Sequence, residues 1–381
     1  MIGVPREVKS MEGRVGITPD GVRALREIGI KVGVEERAGV LSSFSDDNYL
    51  AAGAEIYRNA EELYRDADII VKVKEPMPEE YRLFPLLKGK VLFTYLHLAG
   101  VEPELTRLLL RHEVIAIAYE AVTEVVDGKT VLPLLVPMSR IAGVQAARAA
   151  LAHYSKKRPH ELEAVILGCG VVGESSLEEF LAKNLDAVSA FDTREERVQE
   201  LRIKYTKKET FSFFPLPYLE GAGGKIILKG ADIVICGAKL PGGAAAPKVL
   251  TQKHFRCMKR GAYIADVAID QGGSTAWSRV TKPGETYTRG AKFITFSCVP
   301  NIPGSTVPVE ATAELTKVTL PYVCLLGKCL YMHGDVGVYR AFKENPGFRA
   351  GLQTFHGQLL NDCVAKKHGL EEFYCDVGSF F

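Results

Sequence analysis

Val165-Ile166-Leu167-Gly168-Cys169-Gly170-Val171-Val172-Gly173, near the middle of a 381-residue chain, decides how the rest is read. A short apolar run that empties into Gly-x-Gly-x-x-Gly predicts a buried parallel strand, a tight turn and a helix. The glycines let backbone approach a pyrophosphate, and the helix start at Val171 and Val172 offers it unpaired N–H groups. The pattern alone is common, but its context strengthens it. A second run, Ala187 to Phe191, ends in Asp192, nineteen residues past Gly173, where a ribose-binding carboxylate belongs. Gly168, Gly170, Val171, Val172, Gly173 and Asp192 thus point to a Rossmann-type doubly wound parallel sheet that binds a dinucleotide. The Asp192 carboxylate favours the 2′-hydroxyl of NAD over the 2′-phosphate of NADP. Thr193-Arg194 would soften that preference.

The length leaves room for two domains, and 47% hydrophobic with 25% charged residues is the composition of a soluble globular protein. Lys plus Arg 48 against Asp plus Glu 46 gives no reason to expect nucleic acid or a membrane surface as a partner. No apolar run approaches the length of a spanning helix and the opening lacks a signal-peptide core, so a cytoplasmic location is expected. The eight cysteines are scattered without a Cys-x-x-Cys pair, which predicts reduced thiols and no metal site. Cys169, inside the glycine turn, reads as a small side chain tolerated there.

Outward from the glycine turn, the first 130 or so residues alternate strand-like and helix-like pieces, the pattern of a second α/β unit. Strands are predicted at Ile2 to Val4, Lys31 to Glu35, Asp68 to Lys74, Val91 to Leu96 and Val114 to Tyr119. Helices are expected after Thr18-Pro19, at Asp46 to Gly53, Asn59 to Ala67 and Glu102 to Arg111. An Ala-rich helix from Pro137 toward Tyr154 carries the chain into the dinucleotide unit, whose later strands are Ile233 to Cys236, Tyr263 to Val267 and Phe293 to Cys298. From Asn301 the reading is helical: Val309 to Lys317, Tyr322 to Tyr331 and Gly351 to Lys367.

Lys74, His97 and Asp270 each fall at or just past the carboxyl end of a predicted strand, the edge where open parallel sheets bind ligands. By strand alternation Lys72 and Lys74 share a face. Oxidation of a small amino or hydroxy acid needs a cation for the carboxylate, a base near neutral pH and a group to hold water or the leaving amine. Lysine or arginine, histidine and aspartate are the residue types for those roles. Taken singly, each has a plainer reading: a solvated lysine, a core histidine, a turn-forming aspartate.

The blocks Gly3-Val4-Pro5-Arg6-Glu7, Glu12 to Pro19, Val71 to Pro76, Phe93 to Ala99, Pro137-Met138-Ser139, Asp266 to Gly273, Asn301-Ile302-Pro303-Gly304 and Thr319-Leu320-Pro321-Tyr322 resemble alanine dehydrogenase, in the same order over nearly the whole chain. The wider family includes the nucleotide-binding subunit of proton-translocating transhydrogenase and, more distantly, saccharopine dehydrogenase. The resemblance implies NAD-dependent oxidative deamination of L-alanine to pyruvate and ammonium, and the reverse reaction. It implies that Arg14 and Lys74 hold the substrate carboxylate, that His97 is the acid/base and that Asp270 positions water or ammonia. Ser139, Asp192 and the glycine turn would bind cofactor, with Asn301 near the nicotinamide. It also implies a homo-oligomer, hexamer or dimer.

The chain departs from the family pattern at Glu174, whose carboxylate would face a bound pyrophosphate, and in the loop Pro303 to Glu310, where Val309-Glu310 stands in place of Arg followed by Thr or Ser. The expected architecture is a substrate domain, flavodoxin-like or Rossmann-like, from 1-136 with a mostly helical 303-381, and an inserted NAD-binding domain at 137-302. The active site is expected in the cleft. The alternatives are an oxidoreductase on this scaffold acting on another amino acid or imine, and a non-catalytic nucleotide-binding or transhydrogenase-like subunit.

Overall fold

The structure, a computed structural model, describes residues 1–208, 210–238 and 245–381, with 332–336 described as backbone only. The chain divides into two compact units, Met1–Met138 with Val307–Phe381, and Ser139–Thr306.

The second unit holds a seven-stranded sheet built on Glu163–Leu167. This strand pairs in parallel with Ala187–Asp192 on one side and Ile233–Cys236 on the other. Phe211–Pro215 lies outside the former, and Tyr263–Asp266, Ile294–Ser297 and Tyr287–Arg289 lie outside the latter. Numbered within the unit, the order is 3-2-1-4-5-7-6, and only the last strand is antiparallel. The first five positions follow the Rossmann order. Side-chain alternation sorts the core: Ile166 and Ile235 pack on one face, and Val165, Leu167, Val234 and Cys236 on the other. Both faces are covered, which explains why these strands read as unbroken apolar runs.

The first unit holds an eight-stranded sheet. Its six parallel strands run spatially Glu55–Tyr57, Val32–Glu35, Ile2–Val4, Ile69–Val71, Val91–Thr94 and Ile115–Ala118, again the order 3-2-1-4-5-6. Leu352–Phe355 and Gln358–Leu359 then extend the sheet antiparallel. Of the two alternatives for this unit, the order is Rossmann-like.

Three local expectations need correction. Leu352–Phe355 and Gln358–Leu359 form a hairpin where a helix from Gly351 was expected; His356 and Gly357, with φ of 47° and 75°, make the two-residue positive-φ turn that hairpins favour. The helix that does follow is Asp362–His368, ended by left-handed Gly369. Second, Val309 to Lys317 and Tyr322 to Tyr331 belong to one 37-residue helix, Pro308–Glu344, which passes through Pro321. Pro321 removes a single intrahelical donor without ending the helix. Third, the strand expected to reach Lys74 stops at Val71.

No helix among the described residues is long and apolar enough to cross a membrane.

Candidate active site

In the first unit, the substrate-type residues gather where strand order reverses, beyond the carboxyl ends of Ile2–Val4 and Ile69–Val71. Arg14 and Glu12 are both buried, 3% and 4% exposed, and pair fork to fork: Nη2 to Oε2 at 2.6 Å and Nε to Oε1 at 2.8 Å. The Arg14 amide also donates to Glu12 Oε1, at 2.9 Å. Burial alone would push the Glu12 carboxyl up, but the Arg14 guanidinium outweighs it and holds the group at about 2. A cavity of about 250 Å³ bordered by Arg6, Glu7, Glu12, Arg14 and Arg37 opens beside this pair.

Lys74 is half-buried, and among the described residues it forms no ion pair, so its charge remains for a ligand. Burial and the like charges of Arg14 and Lys9 hold its ammonium below the usual lysine range, against the pull of Glu12 and Glu75. Lys72 does not share this role. Its ammonium is fully buried between Glu80 at 2.7 Å and Glu7 at 3.4 Å, because the chain leaves strand geometry after Val71 and the expected alternation ends there. The same residue type two positions apart is structural in one case and available in the other.

His97 has a left-handed backbone, φ 47°, stabilised by Glu120: Oε1 accepts the His97 N–H at 2.5 Å and both oxygens lie within reach of the Leu96 N–H. The imidazole Nδ1 stands 3.9 Å from the same Oε1. Burial pushes the Glu120 carboxyl up to about 7 against the bonds from the His97 and Leu96 amides, and Lys74 is near enough to favour its ionised form. Glu120 was not anticipated, since it lies 23 residues from its partner and on a different segment. Tyr95 completes the group; its ring centroid is 5.7 Å from that of His97, and its hydroxyl donates to the Leu134 carbonyl at 2.5 Å.

In the second unit, Gly168 has φ 92° and a side chain there would strike Ala238. A Cβ at Gly173 would come within 2.1 Å of the Gly168 carbonyl oxygen. At Gly170 it would meet nothing within 4 Å, so open space faces the start of helix Val171–Ala182, which has no side-chain cap. A pyrophosphate fits that arrangement of free N–H groups and open volume. Asp192, 5% exposed, accepts from the Cys169 amide at 2.8 Å and from the Arg194 amide and Nε at 2.9 and 3.2 Å. Burial would raise its carboxyl, but the Arg194 bonds outweigh it, and the group stays ionised with lone pairs left for a ribose hydroxyl.

Glu174 does not face the turn unpaired. Arg197 Nη2 and Lys204 Nζ bind its two oxygens, the latter at 2.7 Å, and Arg197 Nε donates to the Cys169 carbonyl at 2.8 Å. Cys169 is buried, its thiol pushed up to about 12 by burial. Ser139 lies on helix Val136–His153, four residues before Gly143, whose close contact with the Val172 carbonyl seats that helix over the turn.

Asp270 is exposed at the end of a short helical turn, Val267–Gln271, followed by left-handed Gly272 and Gly273. It accepts the amide of Asn301 at 3.3 Å, and Asn301 itself is left-handed, φ 50°. A separate cavity of about 500 Å³ in this unit, bordered by Arg148, His153, Tyr263 and Thr286, is lined by none of the residues given a catalytic or binding role from sequence. The structure thus brings Arg14, Lys74 and His97 together in one unit. The glycine turn, Asp192, Ser139, Asp270 and Asn301 belong to the other.

Sequence models of the alanine dehydrogenase/PNT N-terminal and C-terminal domains match residues 3–142 and 157–362. An alanine dehydrogenase of Methanococcus maripaludis is 37% identical across 97% of each chain, and one of Bacillus subtilis is 37% identical across 97% of this chain and 95% of its own. A solved L-alanine dehydrogenase superposes with a TM-score of 0.82 at 33% identity, covering 97% of this chain and 99% of that one. A transhydrogenase from Sinorhizobium meliloti superposes at 0.75 with 20% identity, over 95% of this chain and 99% of that one, a likeness of fold alone.

Proposed function

The chain belongs to the alanine dehydrogenase/PNT family, and from that premise we propose that it catalyses the NAD-dependent oxidative deamination of L-alanine to pyruvate and ammonium, and the reverse reductive amination. The observation that carries the reading is that full-length relatives of this name share the whole chain. The charged group at Arg14, Lys74 and His97 fits the chemistry.

Arg14 and Lys74 would hold the substrate carboxylate, Lys74 as the cation with no ion pair among the described residues and Arg14 fixed by Glu12. NAD supplies a hydride acceptor for the Cα–H. Loss of that hydride gives an imine, to which water adds, and ammonia then leaves. His97 would take the proton from the attacking water and return one to the leaving amine, using Nε2 while Nδ1 faces Glu120. Asp270 would orient the water or ammonia. Asp192 would accept a hydrogen bond from the ribose, the Gly168–Gly173 turn would take the pyrophosphate, and Ser139 and Asn301 would complete the cofactor contacts. A cytoplasmic homo-oligomer, hexamer or dimer, is part of the same proposal.

The test is NADH formation from a panel of L-amino acids and NADH consumption with ammonium and a panel of 2-oxo acids. Alanine and pyruvate should give the highest kcat/KM. Inert pyruvate beside rapid reduction of a larger oxo acid overturns the alanine assignment. His97→Ala should lose turnover, by roughly a hundred-fold or more, while NADH binding persists.

A further inference from the structure

Beyond the ends of the paired strands Ile2–Val4 and Ile69–Val71, the two chains part. Ile2 and Gly3 pair with Ile69 and Ile70, after which Pro5 turns the chain away while Lys72-Val73-Lys74 continues. On one side this continuation stays tied: Lys72 N–H donates to Phe93 at 3.1 Å, the Val73 carbonyl accepts from Tyr95 at 3.2 Å and the Lys74 carbonyl from Thr94 Oγ1 at 3.0 Å. On the vacated side a side chain replaces the strand. Glu7 Oε1 accepts the Val73 N–H at 2.7 Å and Oε2 accepts the Lys74 N–H at 3.4 Å.

We infer that Glu7 is a positioning residue for the substrate lysine, its buried carboxylate holding the backbone from which Lys74 projects toward the amino-acid carboxylate. The inference rests on the proposed role of Lys74.

The surroundings make this support dependent on charge. The Glu7 side chain is 3% exposed and shares the Lys72 ammonium with Glu80, whose second oxygen accepts the Met77 N–H at 2.8 Å. Two buried carboxylates thus face one cation, with Glu12 close by and Tyr64, Arg14 and Tyr119 also within reach of Glu7's charge. Burial is the largest influence and pushes the Glu7 carboxyl up to about 7; Lys72 and the Val73 amide oppose it, while Glu12 and Glu80 add to it. Protonation would replace a charged acceptor by a neutral one under the Lys74 peptide. Substrate affinity should therefore fall as pH drops through about 7.

Glu7→Gln in the full chain should raise the alanine KM roughly ten-fold, leave the NAD KM unchanged and flatten the acid limb of the alanine KM profile; Glu7→Asp should recover part of the loss. A second readout needs no turnover: modification of Lys74 by trinitrobenzenesulfonate, followed by peptide mass spectrometry across pH. The wild-type chain should show a step near pH 7, superposed on the rise from Lys74's own deprotonation, and Glu7→Gln should remove it, which separates Glu7 from Glu120, whose carboxyl is also pushed to about 7 within reach of Lys74. Wild-type labelling without that step overturns the inference, as does a Glu7→Gln chain that is less stable yet keeps its alanine KM and labelling profile. If the wild-type chain turned over no alanine, the functional reading would fall, and the labelling would still decide the link from Glu7 to Lys74.

Discussion

The two units present the same topology at their switch points and use it in opposite ways. Past Glu163–Leu167, the chain enters a glycine turn in which backbone amides and open space make the binding surface. Past Ile2–Val4, it meets Pro5 and then the ionisable side chains Glu7, Glu12 and Arg14, with Lys72 and Lys74 arriving from beyond the end of the neighbouring strand. A polyanion is served by many weak, fixed dipoles, whereas a small carboxylate needs one or two full charges whose own positions must be bought with counter-charges. The first solution costs side chains; the second costs buried ions.

The hardest strain on this contrast is Glu12→Gln. It removes the charge of the carboxylate that pairs fork to fork with the buried Arg14 guanidinium, and stability should fall by about 3–5 kcal/mol, read from urea unfolding, with a weakened alanine KM. Because the folded Glu12 carboxyl is held at about 2, below its ordinary 4.5, its contribution is complete above that ordinary value and fades as pH falls toward 2. The gap between variant and wild type should close in acid. A loss under about 1 kcal/mol would mean that Arg14 needs no ion partner, and the contrast would break.

Next come the glycines. Gly173→Ala sets a methyl against a carbonyl oxygen that cannot retreat, so unit two should lose about 1–3 kcal/mol and NADH affinity should drop steeply. Gly170→Ala, at φ −68° with nothing within 4 Å, should fold normally and lose affinity alone, by roughly ten-fold. Equal stability losses in the two variants would show that the turn is not divided between packing and binding. The smallest effect belongs to Glu174→Ala. Its carboxylate is already matched by Arg197 and Lys204, so NADH Kd measured by fluorescence should change less than about three-fold. A ten-fold tightening would make Glu174 a repulsive element that its partners fail to cancel.

What could be read from sequence follows the same division. At Gly168 and Gly173 the constraint is on the backbone, and only glycine satisfies it, so residue type carries the information. The apolar parallel strands were legible because burial on both faces leaves no polar positions. Lys74 and His97 could be chosen by type and strand-end placement, and Arg14 only through the family resemblance, but the acids that hold the first two could not: Glu7 and Glu120 reach their partners across folds in the chain that no spacing encodes. Glu12 was nearer to hand, two residues from Arg14. Lys72 shows the limit of alternation, which holds only while the strand lasts. The hairpin at 352–359 was missed because Leu352-Gln353-Thr354-Phe355 shows no period-two alternation, all four side chains being buried, and the turn signal, His356-Gly357, is easily passed over.

The late return of that hairpin also orders events at the ribosome. Unit two is whole by Thr306, whereas the strand Ile115–Ala118, made long before, must wait for Leu352–Phe355 to pair with its outer edge. At a synthesis rate of roughly 5–20 residues per second the wait lasts about 10 to 50 seconds. Throughout it the nascent chain carries an apolar strand with one side unpaired, the kind of edge that recruits other chains. The inserted unit can therefore fold first, and the unit that surrounds it in sequence is the one a chaperone has reason to attend.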